Sequence, residues 1–234
     1  MRYIFHFIIA VALTSCGVVI TKVRYSQPYW GTQKLEDQIT LITKDALIEV
    51  GAKNMYRIEG DKSILFSSYY SHKKSYVKGQ QGGYVESVPM NRNSFIFELL
   101  ITPRKELLFR PDGFVLKING QKLEGEVYKS KVAAKKFKRR VNRSLEGLCD
   151  FKKRDSNGKV IWNHPDSFKL TEIFRVKKAL LLQENTEYCF ALKFGTPPPK
   201  PETHFSLLLG GVELGEFESN EFNFRPSEYD WVHN

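Results

Sequence analysis

The feature that most narrows the fold is a succession of short apolar runs, punctuated by turn residues, the clearest of them alternating with period two. Ser94–Ile101 shows it best, with Phe95, Phe97, Leu99 and Ile101 on one face and Glu98 on the other. Successive strand side chains point to opposite faces, so this pattern predicts a strand buried on one side. Phe114–Ile118, Asn119-Gly120 and Gln121–Leu123 predict a hairpin, because Asn-Gly supplies the two positive-φ residues of a type I′ turn. Further strands are expected at 39–43, 46–50, 64–70, 160–162 and 168–176. Residues 205–217 read as a hairpin about Gly210-Gly211, and Phe222 and Phe224 as part of a closing strand. The prolines of Thr196-Pro197-Pro198-Pro199-Lys200-Pro201 cannot donate backbone hydrogen bonds, so this segment reads as a stiff crossing between strands. The expected class is all-β.

One segment breaks the pattern. Over residues 130–148, Ala134, Phe137, Val141, Leu145 and Leu148 fall within an arc of roughly 80° at 100° per residue, which predicts an amphipathic helix. Ser130 reads as its N-cap and Gly147 marks its end. The rest of the circumference carries Lys131, Lys135, Lys136, Lys138, Arg139, Arg140 and Arg143. With Lys129 that makes eight cations and no acid, and they account for most of the formal net charge of +10. Such a helix suits an anionic surface: phospholipid headgroups, lipopolysaccharide phosphates or an acidic protein. The same cations also suit a solvated face with no ligand. Aromatic residues for stacking on bases are not interleaved with them, so nucleic acid is not an expected partner.

At the amino end, Arg2 precedes an apolar run from Tyr3 to Leu13, followed by Thr14, Ser15 and Cys16. This layout resembles a bacterial lipoprotein signal peptide, with Leu13-Thr14-Ser15-Cys16 as the lipobox. The resemblance implies removal of residues 1–15, diacylglycerol on the sulfur of Cys16, and a mature protein held in the cell envelope. Gly17 follows the cysteine where an acidic residue would signal inner-membrane retention, which resembles an outer-membrane lipoprotein. Residues 3–20 hold no formal charge, so an uncleaved signal anchor stays open. The domain reading is a leader over 1–15, a lipid-anchored tether over 16–34, an N-terminal β segment over 35–90, and a sandwich over 91–234 bearing the helix.

Leu182-Gln183-Glu184-Asn185-Thr186-Glu187-Tyr188-Cys189-Phe190-Ala191-Leu192 resembles the tyrosine-corner strand of fibronectin type III and other immunoglobulin-like sandwiches. That resemblance implies a Tyr188 hydroxyl bonded to the upstream backbone, and Tyr188, Phe190, Leu192 and Phe194 facing inward. Asn185 stands where a left-handed turn residue is needed, a conformation that asparagine tolerates. The resulting fold expectation is an immunoglobulin-like antiparallel β-sandwich with one inserted amphipathic basic helix.

If Cys16 carries lipid, Cys149 and Cys189 remain. In an oxidising periplasm two thiols often pair, and closing a loop of about 40 residues would contribute roughly 4 kcal/mol. Two buried free thiols are the other reading. No cysteine or histidine has zinc-ligand spacing, and no cofactor motif is present. Gly-x-Ser-x-Gly, His-Glu-x-x-His and phosphate-cradling glycine loops are absent, and His72, His164, His204 and His233 read as surface residues. The expectation is a non-catalytic envelope lipoprotein that binds an anionic envelope component or another envelope protein. Two alternatives stay open: a lipoprotein immunity factor neutralising a periplasmic toxin, and an envelope hydrolase without a recognisable motif.

Overall fold

The computed structural model describes residues 19–30, 33–34, 40–71, 84–89, 93–130, 152–154, 160–162, 173–212 and 220–233. Their regular structure is all strand: β1 (Val19–Trp30), β2 (Gln33–Lys34), β3 (Thr40–Ile42), β4 (Ala46–Ala52), β5 (Met55–Glu59), β6 (Lys62–Ser71), β7 (Tyr84–Pro89), β8 (Phe95–Pro103), β9 (Leu107–Phe109) and β10 (Phe114–Ile118). They continue as β11 (Gln121–Glu124), β12 (Glu126–Ser130), β13 (Lys152–Arg154), β14 (Val160–Trp162), β15 (Ile173–Arg175), β16 (Leu180–Leu182), β17 (Tyr188–Phe194), β18 (Phe205–Leu209) and β19 (Glu221–His233). One sheet runs β11-β10-β18-β19-β1-β5-β6-β7, with β2 beside β1; a second runs β15-β12-β17-β8-β4-β3. Two ribbons, β13-β14 and β16-β9, complete the set. The pairings are antiparallel.

Both large sheets feed one apolar cluster. Ile48, Phe95, Phe97, Leu99, Phe190 and Phe194 enter it from the smaller sheet, and Phe114, Leu116, Leu207, Phe222 and Phe224 from the larger. Rings meet across the two layers: Phe95 lies edge-on to Phe205 at 5.3 Å, and Phe97 to Phe224 at 5.3 Å. Such pairs add about 0.5–1.5 kcal/mol each beyond the area they bury.

The proline crossing joins β17 in the smaller sheet to β18 in the larger and is fastened by polar bonds. Asn54, fully buried, donates to the Ser26 hydroxyl at 2.7 Å and to the Pro199 carbonyl at 3.2 Å. The Tyr56 hydroxyl donates to the Pro198 carbonyl at 2.9 Å. A buried amide left without partners would cost about 1–3 kcal/mol, so these bonds lock a segment that proline bars from any ladder.

At the Asn119-Gly120 turn φ is 50° and 76°, as a type I′ turn needs. Asn185 has φ 56°, and the Gln183 amide donates to the Tyr188 hydroxyl at 2.9 Å.

The described residues differ from local expectation at several points. Ser94–Ile101 is not half-buried: Ile96, Glu98 and Leu100 are buried as well, so the second face of β8 is shielded from water too. Glu98 tolerates this through an ion pair with the Lys53 ammonium at 3.1 Å. Of the hairpin expected over 205–217, residues 213–217 lie outside the described residues. β18 pairs with β10 and β19, and Val212 bridges Phe109. The span expected as a tether contains β1, an inner strand of the larger sheet that pairs with β19 over twelve positions. Ser130 ends β12 opposite Ile173, and the rest of the helix expected over 130–148 lies outside the described residues. Strand pairing also crosses the 90/91 line in both sheets, for example β1 with β19 and β4 with β8.

Candidate functional site

Among the described residues, a cleft of about 390 Å³ opens at one end of the larger sheet. It assembles because the Asn119-Gly120 turn, the start of β18 and the middle of β19 converge. Lys117 pairs with Ser206, Ser206 with Asn223, and Asn223 with Tyr29. Their neighbours Leu116, Phe205 and Phe224 face the core, so alternation sends Lys117, Ser206 and Asn223 to the outer face. Asn119, His204 and Arg225 complete the polar lining.

Two charge arrangements differ in this cleft. The Lys117 ammonium sits 2.9 Å from a Glu221 carboxylate oxygen, while the Ser206 hydroxyl donates to the other oxygen. Those two donors, Ser206 first, hold the Glu221 carboxyl below the usual carboxylate range. A carboxylate so stabilised is a weak proton acceptor, which suits it poorly to activate Ser206 as a nucleophile. Arg225, by contrast, lies 4.9 Å over the Tyr29 ring and has no carboxylate partner among the described residues. His204 is exposed at the rim. The result is a cleft lined by Lys117, His204 and Arg225 and by no acid, with Lys117 neutralised by the neighbouring Glu221, able to hold a small anionic or polyhydroxylated group.

The Glu221 contacts give a signed pH effect. A depressed folded-state pKa stabilises the fold above the ordinary carboxylate pKa, and that contribution disappears as pH falls through the folded value. Glu221→Gln should therefore cost about 1 kcal/mol at neutral pH and progressively less toward pH 3. Urea unfolding of both proteins across that range checks it, and a gap that widens in acid contradicts it.

Among the residues singled out from sequence, Cys189 is described. It is part-buried on β17 opposite Leu100, on the face turned away from the core that takes Phe190. Cys16, Cys149, Lys131, Lys135, Lys136, Lys138, Arg139, Arg140 and Arg143 lie outside the described residues. Lys129, the first cation of the basic run, stands on β12 with its ammonium 4.8 Å from the Tyr188 ring centre, and burial lowers its pKa. Three or more His, Cys, Asp or Glu placed to hold a metal do not occur among the described residues. The cleft itself escapes sequence reasoning, since Lys117 and Glu221 are 104 positions apart. The one local hint is Lys117 at an outward position beside an Asn-Gly turn.

Comparison with known proteins finds no family model, no curated protein and no solved structure that matches the chain.

Proposed function

We propose that the chain is a non-catalytic envelope lipoprotein, anchored through Cys16, whose immunoglobulin-like β-sandwich binds an anionic envelope component or envelope protein through clustered cations. The observation that carries this reading is the cleft lined by His204 and Arg225, beside which Glu221 is held by Lys117 and Ser206. The basic run Lys131–Arg143 supplies a second cationic surface by sequence. The anchoring half of the reading gains support from the start of β1 at Val19. With Val19 and Ile20 taken into the sheet, the uncharged run shrinks to residues 3–18. Sixteen helical residues span about 24 Å, short of a bilayer core of about 30 Å, which favours a cleaved leader over a signal anchor. A Cys149–Cys189 bridge belongs to the same reading.

The test is binding of the acylated protein to lipopolysaccharide and to phosphatidylglycerol vesicles at low salt. Cations near an anionic membrane contribute on the order of 1 kcal/mol each, so reversing Lys135, Lys136, Arg139 and Arg140 to Glu should weaken binding at least tenfold. Arg225→Glu should weaken it a few-fold on its own. Unchanged affinity in both variants rejects the anion-binding reading. Peptide mass mapping of the natural protein tests the rest: an intact Met1, or free thiols at both Cys149 and Cys189, rejects the lipidation or the bridge.

A further inference from the structure

The strand register sets out the hydrogen-bond donors of the cleft. Ile118 lies opposite Phe205, and Phe205 opposite Phe224. One residue further along each antiparallel strand, Asn119, His204 and Arg225 therefore stand side by side, about 5 Å apart. Two positions back on β19, Asn223 joins them on the same outer face. These four side chains make no hydrogen bond or ion pair among the described residues. Lys117 and Ser206, by contrast, are committed to Glu221. The acids closest in sequence to His204 and Arg225, which are Glu202 and Glu228, are both held by Arg24, at 3.1 Å and 2.8 Å.

We propose that the cleft is a binding site for a sugar phosphate, with the phosphate on Arg225 and His204 and the hydroxyls on Asn119 and Asn223. The inference rests on the anion-binding reading of the cleft and deepens it. A guanidinium presents its N–H donors in a planar fork that matches two phosphate oxygens at once. The fork is restrained here, because it lies 4.9 Å over the Tyr29 ring. A neutral imidazole keeps one N–H and a charged one has two, so His204 supplies a donor beside it in either state.

The neutral half of the site fits hydroxyl groups. A carboxamide both donates and accepts, as a sugar hydroxyl does, whereas lysine and arginine only donate. At about 390 Å³ the cleft is near the small end of ligand sites, with room for one sugar unit. A nucleotide fits less well, since a base stacks on an open aromatic face. Phe205 and Phe224 are only 5% and 1% exposed, and Arg225 already covers Tyr29. The apolar lining residues Ile118, Phe205 and Phe224 belong to the core and offer an acyl chain little surface. A free sugar phosphate and the phosphorylated sugar at the head of a glycolipid present the same groups.

Isothermal titration of the full-length protein in nonionic detergent tests this with glucose 1-phosphate, inorganic phosphate and glucose. Glucose 1-phosphate should bind about tenfold more tightly than either fragment, since it alone engages both halves of the cleft. Arg225→Lys keeps the charge but loses the fork, and should weaken that binding about tenfold. Asn223→Ala should weaken it a few-fold while leaving inorganic phosphate unchanged. Neither side chain is in the core, so both variants should unfold at the natural chain's urea midpoint. Retention on phosphatidylcholine vesicles carrying diphosphoryl lipid A, released by glucose 1-phosphate, identifies a glycolipid head as the source. Binding of the free compound alone identifies a soluble one. No saturable binding of glucose 1-phosphate, an affinity equal to that of inorganic phosphate, or an unaffected Arg225→Lys overturns the sugar-phosphate site. The envelope reading survives those results if lipopolysaccharide is still bound through the basic run. Glucose 1-phosphate binding without lipopolysaccharide or vesicle binding does the reverse: it keeps the site and overturns the envelope reading.

Discussion

Phe97→Ala should lower the unfolding free energy by about 3–5 kcal/mol, the range for emptying a buried phenylalanine site. The upper end is expected because the ring touches both layers. It is fully buried and lies 4.4 Å from Phe95, 5.6 Å from Phe194, 5.3 Å from Phe224 and 6.0 Å from Phe205. Truncation would leave those four rings facing a void, in a core whose backbone is tied into a nine-stranded sheet on one side and a six-stranded sheet on the other and cannot collapse freely. Domains of this size are stable by only about 5–15 kcal/mol, so the variant should sit near the edge of folding. Guanidinium unfolding gives the number, with Phe174→Ala as the comparison. Phe174 is 42% exposed, and its loss should stay within about 0.5 kcal/mol. Similar costs at the two positions would mean that the sheets do not meet at Phe97.

Gly211→Ala should cost more than about 3 kcal/mol, for a reason unrelated to glycine flexibility. A Cβ at Gly211 would overlap the Arg110 carbonyl oxygen and press on the Phe114 ring, and one at Gly113 would strike the backbone of Gly210 and Gly211. The two loops cannot separate easily. The Arg110 amide donates to the Gly211 carbonyl at 2.7 Å, and the adjoining Val212 is fully buried. Gly120→Ala supplies the contrast. Its φ of 76° makes alanine cost about 1–2 kcal/mol, but nothing lies within 4 Å of the added carbon. If both variants unfold at the same denaturant concentration, the backbone approach at Gly211 has been misplaced.

The Gly210-Gly211 pair also shows where local reading stops. Two adjacent glycines between apolar runs suggest a hairpin turn, and nothing nearby in sequence hints that they serve as a seat for residues 110–113. Glu98 makes the same point. Alternation assigns it to the face of β8 away from Phe97, and that assignment holds. Whether that face meets water depends on what packs over it, and the carboxylate is buried against Lys53. The cleft is a third instance, built from Lys117, Ser206 and Arg225, which become neighbours only after β10, β18 and β19 pair.

What the sequence determined by itself is therefore whatever depends on a few adjacent residues. Strands such as β8, β10 and β17 follow from side-chain alternation, whereas β1, β5, β9 and β12 did not show themselves that way. The type I′ turn at Asn119-Gly120 and the left-handed Asn185 follow from which residues tolerate positive φ. The bond from the Gln183 amide to the Tyr188 hydroxyl spans only five positions. The tertiary structure alone decided which strands pair, which outer faces are covered, and that β1 runs into the body as an inner strand beside β19. The physical reason is that a strand's ladder groups are the same along any chain. Its partner is selected by the fit of distant side chains in one core, a quantity that no local window contains.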